Sequence, residues 1–71
     1  MNRVMLEDHL EAAERRLAEA DHHVAHQREF VALLEYDGHD TTRATRLLRE
    51  FEEVLAVHIA DRDRVRKTLG L

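Results

Sequence analysis

Two long stretches of this sequence contain no helix-breaking residue, and this feature limits the fold more than any other. Residues 3–36 and 42–69 contain neither proline nor glycine, and Gly38 lies between them while Gly70 follows the second. A glycine just past a helix end readily takes the left-handed conformation that terminates a helix. The sequence therefore predicts one domain, with a helix over 3–36, a turn over 37–41 and a helix over 42–69.

Both predicted helices repeat apolar residues at alternating intervals of three and four. The two rows of the first helix and the two of the second are Leu10, Leu17, Val24, Val31; Leu6, Ala13, Ala20, Gln27, Leu34; Leu48, Leu55, Arg62, Leu69; and Ala44, Phe51, His58, Val65. This spacing is typical of coiled-coil packing. We predict an all-α fold, an antiparallel coiled-coil hairpin. Folding back at Gly38 places Gln27 opposite Phe51 and Ala20 opposite His58, and Asp40 or Thr41 can cap the second helix.

A second apolar stripe lies beside these rows, formed by Phe30, Leu33, Leu47 and Val54. A lone hairpin buries only a narrow strip of surface, and chains this short usually need an oligomer or a metal ion to be stable. On a monomer the stripe would be an exposed apolar patch. We therefore expect a homodimer in which two hairpins form a four-helix bundle. The alternative is a monomer with a loose apolar flank.

Composition and charge exclude several function classes. Eleven Lys and Arg against fifteen Asp and Glu give a formal charge of −4, whereas nucleic-acid binders usually carry excess positive charge. The absence of cysteine excludes disulfide scaffolds and cysteine zinc sites. No apolar run reaches the ~18 residues of a membrane span, and Glu7 and Asp8 argue against a signal peptide. We expect a cytoplasmic protein that binds neither nucleic acid nor membranes.

Histidine is the most unusual component, with six in 71 residues. His58 falls on an inner row opposite Ala20, and His23 lies on the flank that carries Phe30. Asp61 is one turn from His58, so the hairpin should bring the three side chains into one region, with His26 at its edge. Imidazoles and carboxylates from facing helices bind metal ions in bundle proteins. The predicted metal ligands are His22, His23, His26, His58 and Asp61.

A metal ion at this site would make hydrolysis possible in so small a chain. Manganese or zinc lowers the pKa of a bound water and polarises a phosphoryl oxygen. We predict catalytic roles for Asp61 and Arg62, with Arg62 or Arg16 steadying a small anionic phosphodiester substrate. Two alternatives stay open: ordinary surface and core histidines without a metal, and a pH sensor in which protonation of His58 loosens the dimer.

Four segments carry a resemblance to known proteins: 26–29 (HQRE), 37–41 (DGHDT), 51–53 (FEE) and 58–64 (HIADRDR). They resemble a group of short, uncharacterised bacterial helical-hairpin proteins. More loosely, the chain is similar to a minimal metal-dependent phosphodiesterase from environmental DNA, also a small dimeric coiled coil. The resemblance implies a divalent-metal-dependent hydrolase of phosphodiesters. It is equally consistent with a non-catalytic dimerisation or adaptor module on the same scaffold.

Overall fold

The structure is a computed structural model that describes residues 2–71, and it consists of two long helices. Helix α1 spans Arg3–Tyr36 and helix α2 spans Thr42–Leu69. They pack against each other as an antiparallel hairpin that measures 53 × 15 × 14 Å. The all-α hairpin expected from the sequence is thereby confirmed. Neither helix, over the part of the chain described, is both long and apolar enough to cross a membrane.

The turn between the helices is closed by main-chain hydrogen bonds around Gly38. This glycine has φ +74°, a left-handed conformation that L side chains rarely adopt. The N–H of His39 donates to the carbonyl of Leu34 at 2.9 Å, and the N–H of Gly38 donates to the carbonyl of Glu35 at 3.1 Å. These two bonds satisfy carbonyls that have no partner within the helix. The predicted position of the turn therefore has a local cause.

The start of α2 is stabilised by Asp40, one of the two capping candidates. Its Oδ1 accepts from the main-chain N–H of Thr42 at 3.0 Å and from the hydroxyl of the same residue at 2.7 Å. Both hydrogen bonds favour the charged carboxylate and lower the pKa of Asp40. Thr41 occupies the N-cap position, but its side chain makes no capping hydrogen bond. At the other end, the basic residues Arg66 and Lys67 lie in the last turn of α2, where the helix dipole favours cations.

Small side chains dominate the interface between the helices. Its buried apolar residues are Ala13, Ala20, Val24, Ala44, Val65 and Leu69. Val24 is the largest side chain that is almost completely buried, with 1% of its surface exposed. The apolar core of a single hairpin is therefore thin, which limits the hydrophobic stabilisation that one chain gains on folding.

Gln27 is the one buried polar side chain among the described residues, and its partner differs from the predicted one. Its Nε2 donates to the carbonyl of Ala44 at 2.9 Å. The sequence placed Gln27 opposite Phe51, but the ring of Phe51 stacks on His23 instead. A buried amide that lacks a hydrogen bond destabilises the fold, so the side chain turns toward an available carbonyl.

Candidate functional site

Two flanks border the helix interface. Each flank consists of one row of four residues from each helix, and the residues of a row are seven apart in the sequence. The cavity flank consists of His9, Arg16, His23, Phe30, Leu47, Val54, Asp61 and Thr68. The charged flank consists of Glu14, Asp21, Arg28, Glu35, Thr45, Glu52, Ile59 and Arg66. One contact between the helices marks each flank. His9 Nε2 lies 3.5 Å from Asp61 Oδ2 on the cavity flank, and Arg28 lies 3.5 Å from Glu52 on the charged flank.

A cavity of about 180 Å³ opens on the cavity flank, near the middle of the hairpin. It is lined by Arg16, Glu19, Ala20, His23, Phe51, Val54 and His58. The rings of His23 and Phe51 stack with centroids 5.6 Å apart and planes inclined by 27°. His58 is half-buried on the opposite helix. The structure thus brings the imidazoles of His23 and His58 to one cavity, with a guanidinium and a carboxylate at its wall.

His22 and His26 lie apart from this cavity. Both side chains are exposed, and neither is among the residues that line it. Their rings stack on each other, with centroids 6.1 Å apart and planes inclined by only 6°. The ring of His22 is tilted by 54° relative to that of His23. Of the four predicted histidine ligands, two therefore face the cavity and two form a separate pair.

Asp61 and Arg62 are engaged with neighbours on their own helix. The Oδ1 of Asp61 accepts from Arg64 at 3.0 Å. This hydrogen bond is the main cause of the lowered pKa of Asp61; partial burial opposes it and the nearby His9 adds to it. Arg62, half-buried, donates to the carboxylate of Asp63 at 3.0 Å. Neither predicted catalytic residue lines the cavity.

Glu19 and Phe51 belong to the cavity although the sequence did not single them out for a site. Glu19 precedes His23 by four residues, a spacing that places two side chains on one side of a helix. That spacing was a signal that could have identified Glu19. Phe51 was predicted as a core residue, and nothing in the sequence indicated that its ring would stack on an imidazole.

The predicted ligands do not form a complete metal site within one chain. Over residues 2–71, no three side chains among histidines, aspartates and glutamates lie close enough to hold a metal ion. The cavity contributes two imidazoles, and Asp61 is directed to Arg64 and His9. A structural or catalytic metal centre usually needs three or four protein ligands. A shared site would therefore require side chains from a second copy, and it stays a prediction.

Comparison of the chain with protein-family models, curated proteins and solved structures finds no match. The class of protein established by the fold is a two-helix antiparallel hairpin of 71 residues.

Proposed function

We propose that this chain functions by pairing with a second copy of itself through the cavity flank, which produces a four-helix bundle. The observation that carries this proposal is the exposure of large apolar side chains on that flank. Phe30 is 49% exposed, Val54 is 48% exposed and Leu47 is 39% exposed. Apolar surface left in water by a core as thin as this one is a strong driving force for association.

The dimensions of the flank fit a second copy. The hairpin presents a face of 53 × 15 Å, about 800 Å², and a stable interface buries roughly that area on each partner. A two-fold axis would place the same rows of both chains against each other. The charged flank is a poorer alternative because six of its eight residues are charged, against two on the cavity flank, Arg16 and Asp61, and burying a charge is costly unless it finds a partner.

Sedimentation velocity with matched variants tests this proposal. We expect the wild type to sediment as a dimer at micromolar concentration. Val54→Asp should weaken the dimer by about 100-fold, because a buried unpaired carboxylate costs roughly 3 kcal/mol. Ile59→Asp, the matched substitution on the charged flank, should leave the dimer intact. A monomeric wild type, or equal dissociation of both variants, would show that the flank is not the interface.

A second candidate function is divalent-metal-dependent hydrolysis of phosphodiesters, and the shared cavity favours it. His23 and His58 would supply two imidazoles, and one imidazole from the same pair of a second copy would complete a three-ligand site with a position left for water. Zinc bound there would provide a Lewis acid and an activated water, whereas manganese, which prefers oxygen ligands, would also need the carboxylate of Glu19 at the cavity wall. Arg16 lies at the cavity wall, where its guanidinium can bind the negative charge of a phosphodiester. Arg62 would need to leave Asp63 to do the same.

An assay with an activated phosphodiester tests the catalytic candidate. Hydrolysis should stop when a chelator is added and return with manganese or zinc. His58→Ala should abolish the activity, whereas the matched variant His39→Ala, which changes a turn residue, should retain it. Undiminished hydrolysis by the His58 variant would refute the assignment. A homodimer without any chelator-sensitive hydrolysis would leave the non-catalytic pairing module as the function.

A further inference from the structure

His22 and His26 form a pair on the outer surface of α1. Each lies two residues from Val24, which is buried against α2. Two residues correspond to about 200° around an α-helix, so both imidazoles face away from the other helix. Their rings are nearly parallel, and the ring centroids are 6.1 Å apart. Neither histidine takes part in an ion pair within residues 2–71.

We infer that His22 and His26 are a two-imidazole chelating site for a late first-row divalent metal ion, with Cu²⁺ bound most tightly. Imidazole nitrogens bind such ions at about 2.0–2.1 Å. Residues four apart lie one above the other on a helix, so rotation of the two side chains can bring one nitrogen from each to a common ion. The backbone need not move.

The ligand chemistry determines which ions fit. Imidazole suits copper, nickel and zinc, whereas magnesium, calcium and manganese prefer carboxylate and water oxygens. Within the first group the general order of affinity places Cu²⁺ above Ni²⁺ and Zn²⁺. No third ligand is in place among the described residues, so water would occupy the remaining positions. This site therefore keeps two of the five predicted ligands, His22 and His26, but differs from the predicted manganese or zinc centre in its position and its preferred ion.

The neighbouring histidine is a poor member of this site. The ring of His23 stacks on Phe51, which holds it toward the cavity. Adjacent residues on a helix point about 100° apart, and the ring planes of His22 and His23 are inclined by 54°. The ring centroids of His22 and His23 are 6.2 Å apart, almost the distance between His22 and His26, but only the rings of His22 and His26 are nearly parallel. His26 borders a second cavity together with Phe30 of the cavity flank, so the test of copper binding includes a variant that disrupts self-association.

Isothermal titration calorimetry of the metal-free protein with Cu²⁺ at neutral pH tests the inference, and thermal unfolding with and without Cu²⁺ gives the change in Tm. The N-terminal amine is acetylated in every variant so that it cannot compete for copper. The wild type should bind one tight ion per chain, and its Tm should rise because the chelate exists only in the helical chain. His22→Ala and His26→Ala should each weaken binding by roughly 100-fold, since a two-point attachment becomes a single one.

Two controls make the result decisive. His23→Ala removes the adjacent imidazole and should retain tight copper binding. The dimer-interface variant Val54→Asp should also retain it, so a failure of self-association would not be mistaken for a failure of this site. Copper binding that survives His26→Ala, or that is lost to the same extent in His23→Ala, would overturn the assignment. Tighter binding of Mn²⁺ than of Cu²⁺ would do so as well.

Discussion

The two flanks of the hairpin border the same helix interface but carry different chemistry. On the charged flank, Arg28 and Glu52 join the helices through exposed, flexible side chains 3.5 Å apart. On the cavity flank, Phe30 and Val54 are about half-exposed, and Val54 lines the cavity that contains two imidazoles. An exposed ion pair contributes little to stability but is compatible with water, whereas exposed apolar side chains gain free energy when they are covered. This contrast is the reason for proposing the cavity flank, and not the charged flank, as the surface that pairs with a second copy.

The cavity has a related cause. The inner residue Ala20 leaves room that the longer side chains around it do not fill, and Ala20 lines the cavity together with His58. A helix interface built from alanines brings the backbones close but gives large neighbours such as Phe51 nowhere to lie except at the edge. The cavity flank therefore contains a cavity because the side chains in the helix interface are small.

Among the variants that test this comparison, Phe51→Ala is expected to lower the free energy of unfolding most. The variant removes an aromatic ring that lies against His23 and lines the cavity, and half-burial reduces the usual cost of such a truncation to about 2 kcal/mol. Ile59→Ala on the charged flank should cost roughly 1 kcal/mol, because the change removes a smaller side chain that is 37% exposed. Urea unfolding at one fixed protein concentration measures both. Equal losses of stability would mean that the ring at the cavity wall contributes no more than a side chain of the charged flank.

Acidification is expected to lower the stability of the fold by a smaller amount, and Asp61 on the cavity flank is the residue that tests this. The pKa of Asp61 lies below its usual 3.8, mainly because Arg64 donates to the carboxylate. Its contribution to the stability of the fold is therefore present above pH 3.8 and is lost as the pH falls through the lowered pKa. Asp61→Asn should be less stable than the wild type at neutral pH, and this difference should shrink on acidification.

Thermal unfolding between neutral and strongly acidic pH checks this expectation. Glu52→Gln serves as the matched control because it removes the carboxylate of the ion pair on the charged flank. A difference between wild type and Asp61→Asn that stays constant across the whole pH range would contradict the assigned role of the carboxylate.

Much of the fold could be predicted because its determinants are local. Both helices lie within stretches free of glycine and proline, and the turn follows from Gly38, whose positive φ no neighbouring residue could adopt at as low a cost in free energy. The candidate site was harder to predict from the sequence. His23 and His58 share a cavity as their rows indicated, but the sequence could not reveal that Asp61 would be held by Arg64 and His9. The side chain of an arginine is long enough to reach several carboxylates, and only packing decides which of them it pairs with.

The order of residues along the chain was enough to dictate two helices, their direction reversal and the rows that face each other, since periodicity and turn chemistry act over a few residues. Three-dimensional packing decided that Gln27 bonds to Ala44, that Phe51 rests on His23, and that the four candidate histidines separate into a cavity pair and an outer pair. These outcomes depend on competition between side chains for space and for hydrogen-bond partners. Such competition is settled only when both helices are in contact.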